Sequence, residues 1–407
     1  MSVLYDVKYF VDREELLTQV LDKVRALRKG EPVRKRTTAF YGPRGSGKSW
    51  LIRELYQRIR DKFEDAVHLL YLSFCADDAA GDAVHLHVQP ADADASPEPT
   101  CGAVLARCCE MVGFPLDPGL PLDELSARLV GWCQAHRGRP LLILVDGIDE
   151  LPPDFLRLLE SYLLAPLVVE PNVLLVLGGR TRDPRPGSGY VWKTPEIKLY
   201  ADEHTLEPFD EGWTQKQLER LKDDYPVDPA AAPKVVEVGG GYPLSNVVLA
   251  QHVTGSPPDW RVQPEGLREC AEELLESVAD LRQYFQALCV LRAFDEDRMA
   301  PLLATWFSDD PAKWDYQRCR RIREDMVATR LVRWRGGQGY VMDEAVRTVL
   351  ENALREAESE RWRVLHQAAC DLYTCWVEQY PTARERWQPE AEYHQGRLQG
   401  EGGDGDV

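Results

Sequence analysis

No apolar stretch in the 407 residues approaches the eighteen or more needed to cross a bilayer. Residues Met1 to Phe10 carry Asp6 and lack the long apolar segment and small-residue cleavage site of a secretory signal. A cytoplasmic chain is the expectation, with no membrane partner. Cysteine pairing is missing too: ten cysteines are scattered without a C-x-x-C pair, and Cys108 and Cys109 adjoin on an expected helix. That usage reads as reduced thiols and no zinc site. Basic charge is short, with 49 Lys plus Arg against 67 Asp plus Glu, a net of −18. Such a balance works against tight, nonspecific binding to phosphate backbones or anionic lipid, while leaving room for local basic patches. No repeat with a period of 20 to 50 residues is visible, which argues against a solenoid.

What the chain does have is Gly42-Pro43-Arg44-Gly45-Ser46-Gly47-Lys48-Ser49, a match to G-x-x-x-x-G-K-[ST] at every fixed position. The apolar run Thr37 to Tyr41 before it reads as a buried strand, and Trp50 onward reads as a helix. Glycines let backbone N–H groups turn inward around an anion, the helix start adds a positive dipole end, and Lys48 reaches the outer phosphates. Ser49 is placed to hold Mg²⁺ through its hydroxyl. ATP or ADP with Mg²⁺ is therefore the expected ligand set, Lys48 also serving catalysis.

Further apolar runs follow at Val67 to Phe74, Leu141 to Val145, Val173 to Leu177 and, more weakly, Glu196 to Tyr200, with helical patterns between them. Continuous apolar strands alternating with helices predict an α/β fold, a parallel sheet covered on both faces. Before it, Leu16, Leu17, Val20, Leu21, Val24 and Leu27 mark an amphipathic helix. Residues 76–99 break the pattern with six acidic residues and no Lys or Arg; they read as a solvated insertion loop in which His85 and His87 are exposed.

The strand Leu141 to Val145 ends in Asp146-Gly147-Ile148-Asp149-Glu150. Ligands bind at the carboxyl ends of strands in open α/β sheets. Asp146 is accordingly expected on the metal, Glu150 on the attacking water and Asp149 as a supporting acid. Arg180, just beyond Val173 to Leu177, is positioned for a forked contact with the γ-phosphate; the competing view is a solvent-facing arginine near Arg182 and Arg185. Downstream, Gly239-Gly240-Gly241-Tyr242-Pro243-Leu244 should end one helix and open the next. Leu331 to Arg335, a glycine turn, and Tyr340 to Met342 after several helices read as a winged helix. Residues 358–397 read as a helix pair, and 400–407 as a disordered tail.

Taken together, Gly42 to Ser49, the Asp146 to Glu150 acids, Arg180 and Gly241-Tyr242-Pro243 resemble the STAND class of P-loop NTPases, the NACHT and NB-ARC ATPases among them. That resemblance implies a P-loop α/β domain over 1–205, a helical lid over 206–262, a winged helix over 263–355, a helical segment over 356–399 and a tail over 400–407. It also implies a base-contacting segment at Phe10 to Glu14, with Val11 and Arg13 at the nucleotide, Asp12 where glycine is usual, and Trp50 completing the loop's contacts. Pro243 would meet the adenine or sugar, the alternative being a helix-starting proline with no ligand nearby. Met342 stands where relatives carry a histidine that touches ADP. His366 and His394 read as packed or exposed helix residues rather than substitutes for it.

The function implied is a slowly hydrolysing ATP switch, in signalling or antiphage defence, that forms homo- or hetero-oligomers and takes its sensor or effector from partner proteins. A second reading, from another class, is a DNA-binding AAA+ ATPase of the origin-recognition or loader type. Arg318, Arg320, Arg321, Arg323, Arg330, Arg333 and Arg335 give its winged helix a basic cluster. The interspersed Glu324 and Asp325 and the acidic whole weigh against nucleic acid. A third reading, a scaffold that never hydrolyses, is opposed by the intact Lys48, Ser49, Asp146 and Glu150.

Overall fold

The apolar runs become parallel strands. A computed structural model describes residues 9–11, 13–74, 85–87, 90–148, 151–179, 197, 201–329 and 331–399. Within it lie β1 (Thr37–Tyr41), β2 (His68–Ser73), β3 (His85–His87), β4 (Leu141–Asp146), β5 (Val173–Gly179) and β6 (Ala201–Thr205). They form one sheet in the order β3-β2-β4-β5-β1-β6, every neighbouring pair parallel. Successive residues of a strand face opposite sides, so a strand covered on both sides must be apolar throughout. Leu142, Leu144, Leu174 and Val176 accordingly pack with Leu17, Val20, Leu51 and Leu55 of the helices Glu14–Arg28 and Lys48–Phe63. Ile143, Val145, Leu175 and Leu177 join Leu105, Leu125 and Phe155 of Pro97–Met111, Leu122–Ala135 and Pro153–Leu159. Arg58 clamps the first two helices by pairing with Glu14 and Glu54, and Lys23 reaches Thr38 and Asp202 at 2.9 and 2.7 Å.

Two expectations change. The sixth strand is not Glu196 to Tyr200 but Ala201–Thr205; of the former only Ile197, which is buried, falls among the described residues. As an edge strand paired only with β1 and half-exposed, it has no need of an apolar sequence. Nor is 76–99 simply a loop. Its described part holds β3 and the helix Pro90–Ala95, and Pro97 opens the next helix. Three residues suffice to satisfy the outer edge of β2, and proline is preset for a first helical turn.

Residues 2–207 and 208–407 make two compact units. The second opens with the helices Glu211–Leu221, Ala232–Gly239 and Pro243–Ala250. Gly240 and Gly241 between the last two have φ of 67° and 76°, and a β-carbon on Gly241 would sit 2.2 Å from the Phe209 carbonyl oxygen. Only glycine fits there. The helices Arg282–Leu288, Glu296–Phe307 and Tyr316–Ala328 precede an antiparallel hairpin, Val332–Arg335 with Gly339–Met342. Phe294 bridges to Tyr340 beside it, which completes a winged helix. Asp210, Asp295, Asp315 and Asp343 each cap a helix, accepting from the N–H three residues on. Glu344–Ala357 then leads to the pair Ser359–Gln379 and Arg384–Gln399. Residues 400–407 lie outside the described residues. No described helix is long and apolar enough to cross a membrane.

The last three helices meet on a buried charge. Glu351 pairs with Arg347 at 2.8 Å, with Arg397, and with His366 at 3.6 Å, while His366 Nδ1 lies 2.9 Å from His394 Nδ1. Burial pushes the Glu351 carboxyl up, but His366, Arg397 and Arg347 outweigh it and hold the group at about 2. Burial, and then His366, push His394 down to about 3. In both cases the unfolded chain binds a proton that the folded chain refuses, so stability falls with acidification. The window runs from about 6.5 to 3 for His394 and from about 4.5 to 2 for Glu351. Unfolding of this unit, followed by the fluorescence of Trp362, Trp376 and Trp387, should therefore shift to lower denaturant as pH drops below 6.5. Glu351→Ala, which removes the carboxylate shared by Arg347, Arg397 and His366, should cost about 3 kcal/mol at neutral pH.

Candidate functional site

The phosphate loop takes its shape from glycine. Gly45 and Gly47 have φ of 84° and 90°, a region that strains any residue with a β-carbon, and Gly47 caps the helix Lys48–Phe63. A β-carbon on Gly42 would lie 2.5 Å from Ser46 Oγ. The first N–H groups of that helix have no partner within it, which makes its start a natural anion site. Lys48 Nζ donates to the carbonyls of Gly42 and Pro43 at 2.7 and 2.8 Å, so the ammonium is held against the loop itself. Pro43, Arg44, Ser49 and Trp50 are half-buried around it.

Register brings the acid to the same end. Ser73 of β2 pairs with Asp146 of β4, Val145 pairs with Leu177 of β5, and Gly178 pairs with Phe40 of β1. Asp146 and Gly178 thus lie level, two strands and one strand in from the loop's own strand. A β-carbon on Gly178 would sit 2.5 Å from Ile52 Cδ1 and 3.0 Å from Asp146 Oδ1. Ile52 shares a helix face with Lys48 and Ser49, four and three residues earlier. The carboxylate and the helix bearing Lys48 and Ser49 therefore converge on one point. Asp146 is 1% exposed. With β5 interposed, β1 and β4 stand roughly 10 Å apart, room for a phosphate and a hydrated cation.

Asp149, Glu150 and Arg180 lie outside the described residues, as do Asp12 and Arg330. Val11 is buried; Arg13, with a φ of 67°, sends its guanidinium to the Glu207 carbonyl at 2.5 Å. Pro243 opens its helix in the second unit, where its carbonyl accepts from Gln217 at 3.2 Å. Met342 is buried, and its neighbour Asp343 accepts from the Tyr242 hydroxyl at 3.0 and 3.1 Å. Burial pushes the Asp343 carboxyl up, against the pull of the Val346 N–H and that hydroxyl. Among the arginines of the winged helix, Arg323 ion-pairs with Glu296, Arg320 pairs with Glu324 at 2.9 Å and Arg318 stacks 3.8 Å over Trp314. Arg321, Arg333 and Arg335 are exposed, with no ion pair among the described residues.

Ser73, Gly178, Tyr242 and Asp343 escaped the sequence reading as working residues. The Ser73 hydroxyl is buried beside Asp146 with no hydrogen-bond partner among the described residues. The one available signal was a Gly-Gly pair closing an apolar strand, which marks a close approach.

Residues 9–176 match the family model described as the AAA ATPase domain. That model describes AAA ATPases rather than the STAND class. No curated protein matches the sequence. Among solved structures, the Aeropyrum pernix ORC2 protein in its ADP form is 14% identical, with a TM-score of 0.51 over 89% of this chain and 97% of that one. At that identity the likeness speaks for fold alone. Cdc6p from Pyrobaculum aerophilum is also 14% identical, with a TM-score of 0.43 over 88% of this chain and 99% of that one.

The crowding at Gly178 has a measurable consequence. Gly178→Ala must displace the Ile52 methyl or the Asp146 carboxylate, and should lower stability by about 1–3 kcal/mol, read by thermal denaturation without nucleotide.

Proposed function

We propose that this chain is an ATP-hydrolysing AAA-type ATPase of the origin-recognition or loader kind, whose winged helix engages DNA. The observation that carries the ATPase half is the convergence of Asp146 and the Lys48–Ser49 helix face on Gly178. The domain match over residues 9–176 supports it. Ser49 and Asp146 offer the oxygen donors that suit a hard cation such as Mg²⁺, which when bound would screen the charge on the phosphates. Lys48 exchanges its two carbonyl partners for phosphate oxygens. Glu150 takes a proton from a water whose oxygen bonds to the γ-phosphorus as the bond to the bridging oxygen breaks, leaving ADP and phosphate. Asp149 supports that acid, and Arg180 binds the γ-phosphate.

Support for the DNA half is a complete winged helix carrying exposed Arg321, Arg333 and Arg335, together with the fold shared with ORC2. A STAND-like switch is the second reading, favoured by one observation: the hydroxyl of Tyr242, in the Gly-Tyr-Pro segment, is bonded to Asp343, which ends Val-Met-Asp. In that reading, oligomerisation and partner proteins replace DNA. Size-exclusion chromatography with light scattering in ADP and in a nonhydrolysable ATP analogue separates the two. A mass change without duplex binding would favour the switch.

Lys48→Ala should weaken ATP binding by about a hundredfold, the worth of a charge-assisted phosphate contact, and Glu150→Gln should bind ATP but release no phosphate. If both variants behave like the parent, the site is misassigned. Parent protein should shift duplex DNA at micromolar concentration in moderate salt, and Arg321→Ala should lower the salt slope by about one.

A further inference from the structure

The fold leaves one buried hydroxyl beside Asp146 without a use. Ser73 closes β2, is buried, and its Oγ has no hydrogen-bond partner among the described residues. The backbone at this point is paired on both sides, with Asp146 of β4 and with His87 of β3, so the ladder is complete without the side chain. A buried O–H that finds no partner weakens a fold, and a methyl in its place does not. Stability alone therefore gives no reason for serine here.

Register says what the hydroxyl faces. Leu70 and Leu72 pack on one side of the sheet, while Tyr71 packs on the other with Leu142, Leu144 and the helix Lys48–Phe63. Alternation puts Ser73 on the side of Tyr71 and Asp146 on the side of Leu142 and Leu144, which is the same side. Asp146 thus stands between two small residues in one row. On β5 is Gly178, whose β-carbon would lie 3.0 Å from Oδ1, and on β2 is Ser73, roughly 5 Å away at the spacing of paired strands. The glycine removes bulk, whereas the serine keeps a group that both donates and accepts.

We propose that Ser73 is a positioning residue for the cation, its hydroxyl holding a water of hydrated Mg²⁺ beside Asp146. The inference rests on the ATPase half of the reading above and adds a residue to it. Mg²⁺ gives up its waters reluctantly and takes few protein oxygens directly, so the groups that hold its remaining waters decide how the ion sits. A carboxylate only accepts from such a water, while a hydroxyl also donates to one. A serine and a carboxylate on adjacent strands, with no direct bond between them, are spaced for one shared water. Thr37 supplies the contrast: its Oγ1 is likewise buried and unpartnered among the described residues, but it opens β1, whereas the phosphate loop follows that strand's last residue.

The test follows binding of a fluorescent nonhydrolysable ATP analogue to the full chain as free Mg²⁺ is raised from an EDTA-buffered zero, alongside thermal denaturation without nucleotide. Ser73→Ala should raise the Mg²⁺ concentration for half-maximal tightening about tenfold, the worth of one hydrogen bond, and leave binding in EDTA within about twofold. It should melt no lower than the parent. Ser73→Thr, which keeps the hydroxyl, should retain the parent's Mg²⁺ requirement, and Thr37→Val should change melting alone. An alanine variant with the parent's Mg²⁺ requirement, or one that melts lower without nucleotide, overturns the role of Ser73 and leaves the ATPase reading standing. A parent that binds no analogue, or binds it without regard to Mg²⁺, overturns both.

Discussion

One crowded point, the missing β-carbon of Gly178, fixes the geometry of this molecule's amino-terminal unit. There the strand beside the phosphate loop has no side chain, and into that gap fit a methyl of Ile52 and an oxygen of Asp146. Everything polar at the site is positioned by apolar contacts meeting there: a buried helix face below the loop and two buried strands beside it. Preorganisation of this kind needs no charge–charge attraction. Close packing keeps the loop and the carboxylate in register, because small displacements in a dense interior are resisted.

Legibility in the sequence followed the range of the interactions. The phosphate loop, β1 and β4 could be read directly, since positive φ at Gly45 and Gly47 and unbroken apolar strands are local demands. The turn at Gly240 and Gly241 and the winged helix were legible for the same reason. The edge strands were not. β3 and β6 are each held by backbone bonds to a single neighbour, and β6 is half-exposed, so polar residues such as Asp202 and Glu203 serve there. Nor was the Glu351 cluster visible. Arg347 stands four residues before Glu351 on one helix, but His366, His394 and Arg397 come from the other two, and only the packing of three helices makes them one group. Gly178 acquires meaning only once strand register sets it between Asp146 and Ile52.

The second unit adds buried polar links to its apolar core. Asn352 donates to the Val238 carbonyl at 3.2 Å and Tyr242 to Asp343, so the helix after the wing is stitched to the helix Ala232–Gly239 and the turn that follows it. A β-carbon on Gly240 would meet Ala345 at 2.5 Å, which keeps the two backbones close. Such links specify one arrangement, because each partner left unsatisfied inside the protein is costly. Family resemblance pointed to the histidine position of the motif, occupied here by Met342. That methionine is buried, and its neighbour Asp343 accepts from the Tyr242 hydroxyl.

The two hydrogen bonds from Lys48 to its own loop carry a last consequence. An ammonium already satisfied by the carbonyls of Gly42 and Pro43 is not a bare charge waiting for any anion. Chloride or sulfate must compete with two well-placed neutral oxygens and gains little by doing so. A polyphosphate repays the exchange because it reaches the helix start and the lysine at once. Selectivity for chain length over mere negative charge is thus written into how the lysine meets its own loop.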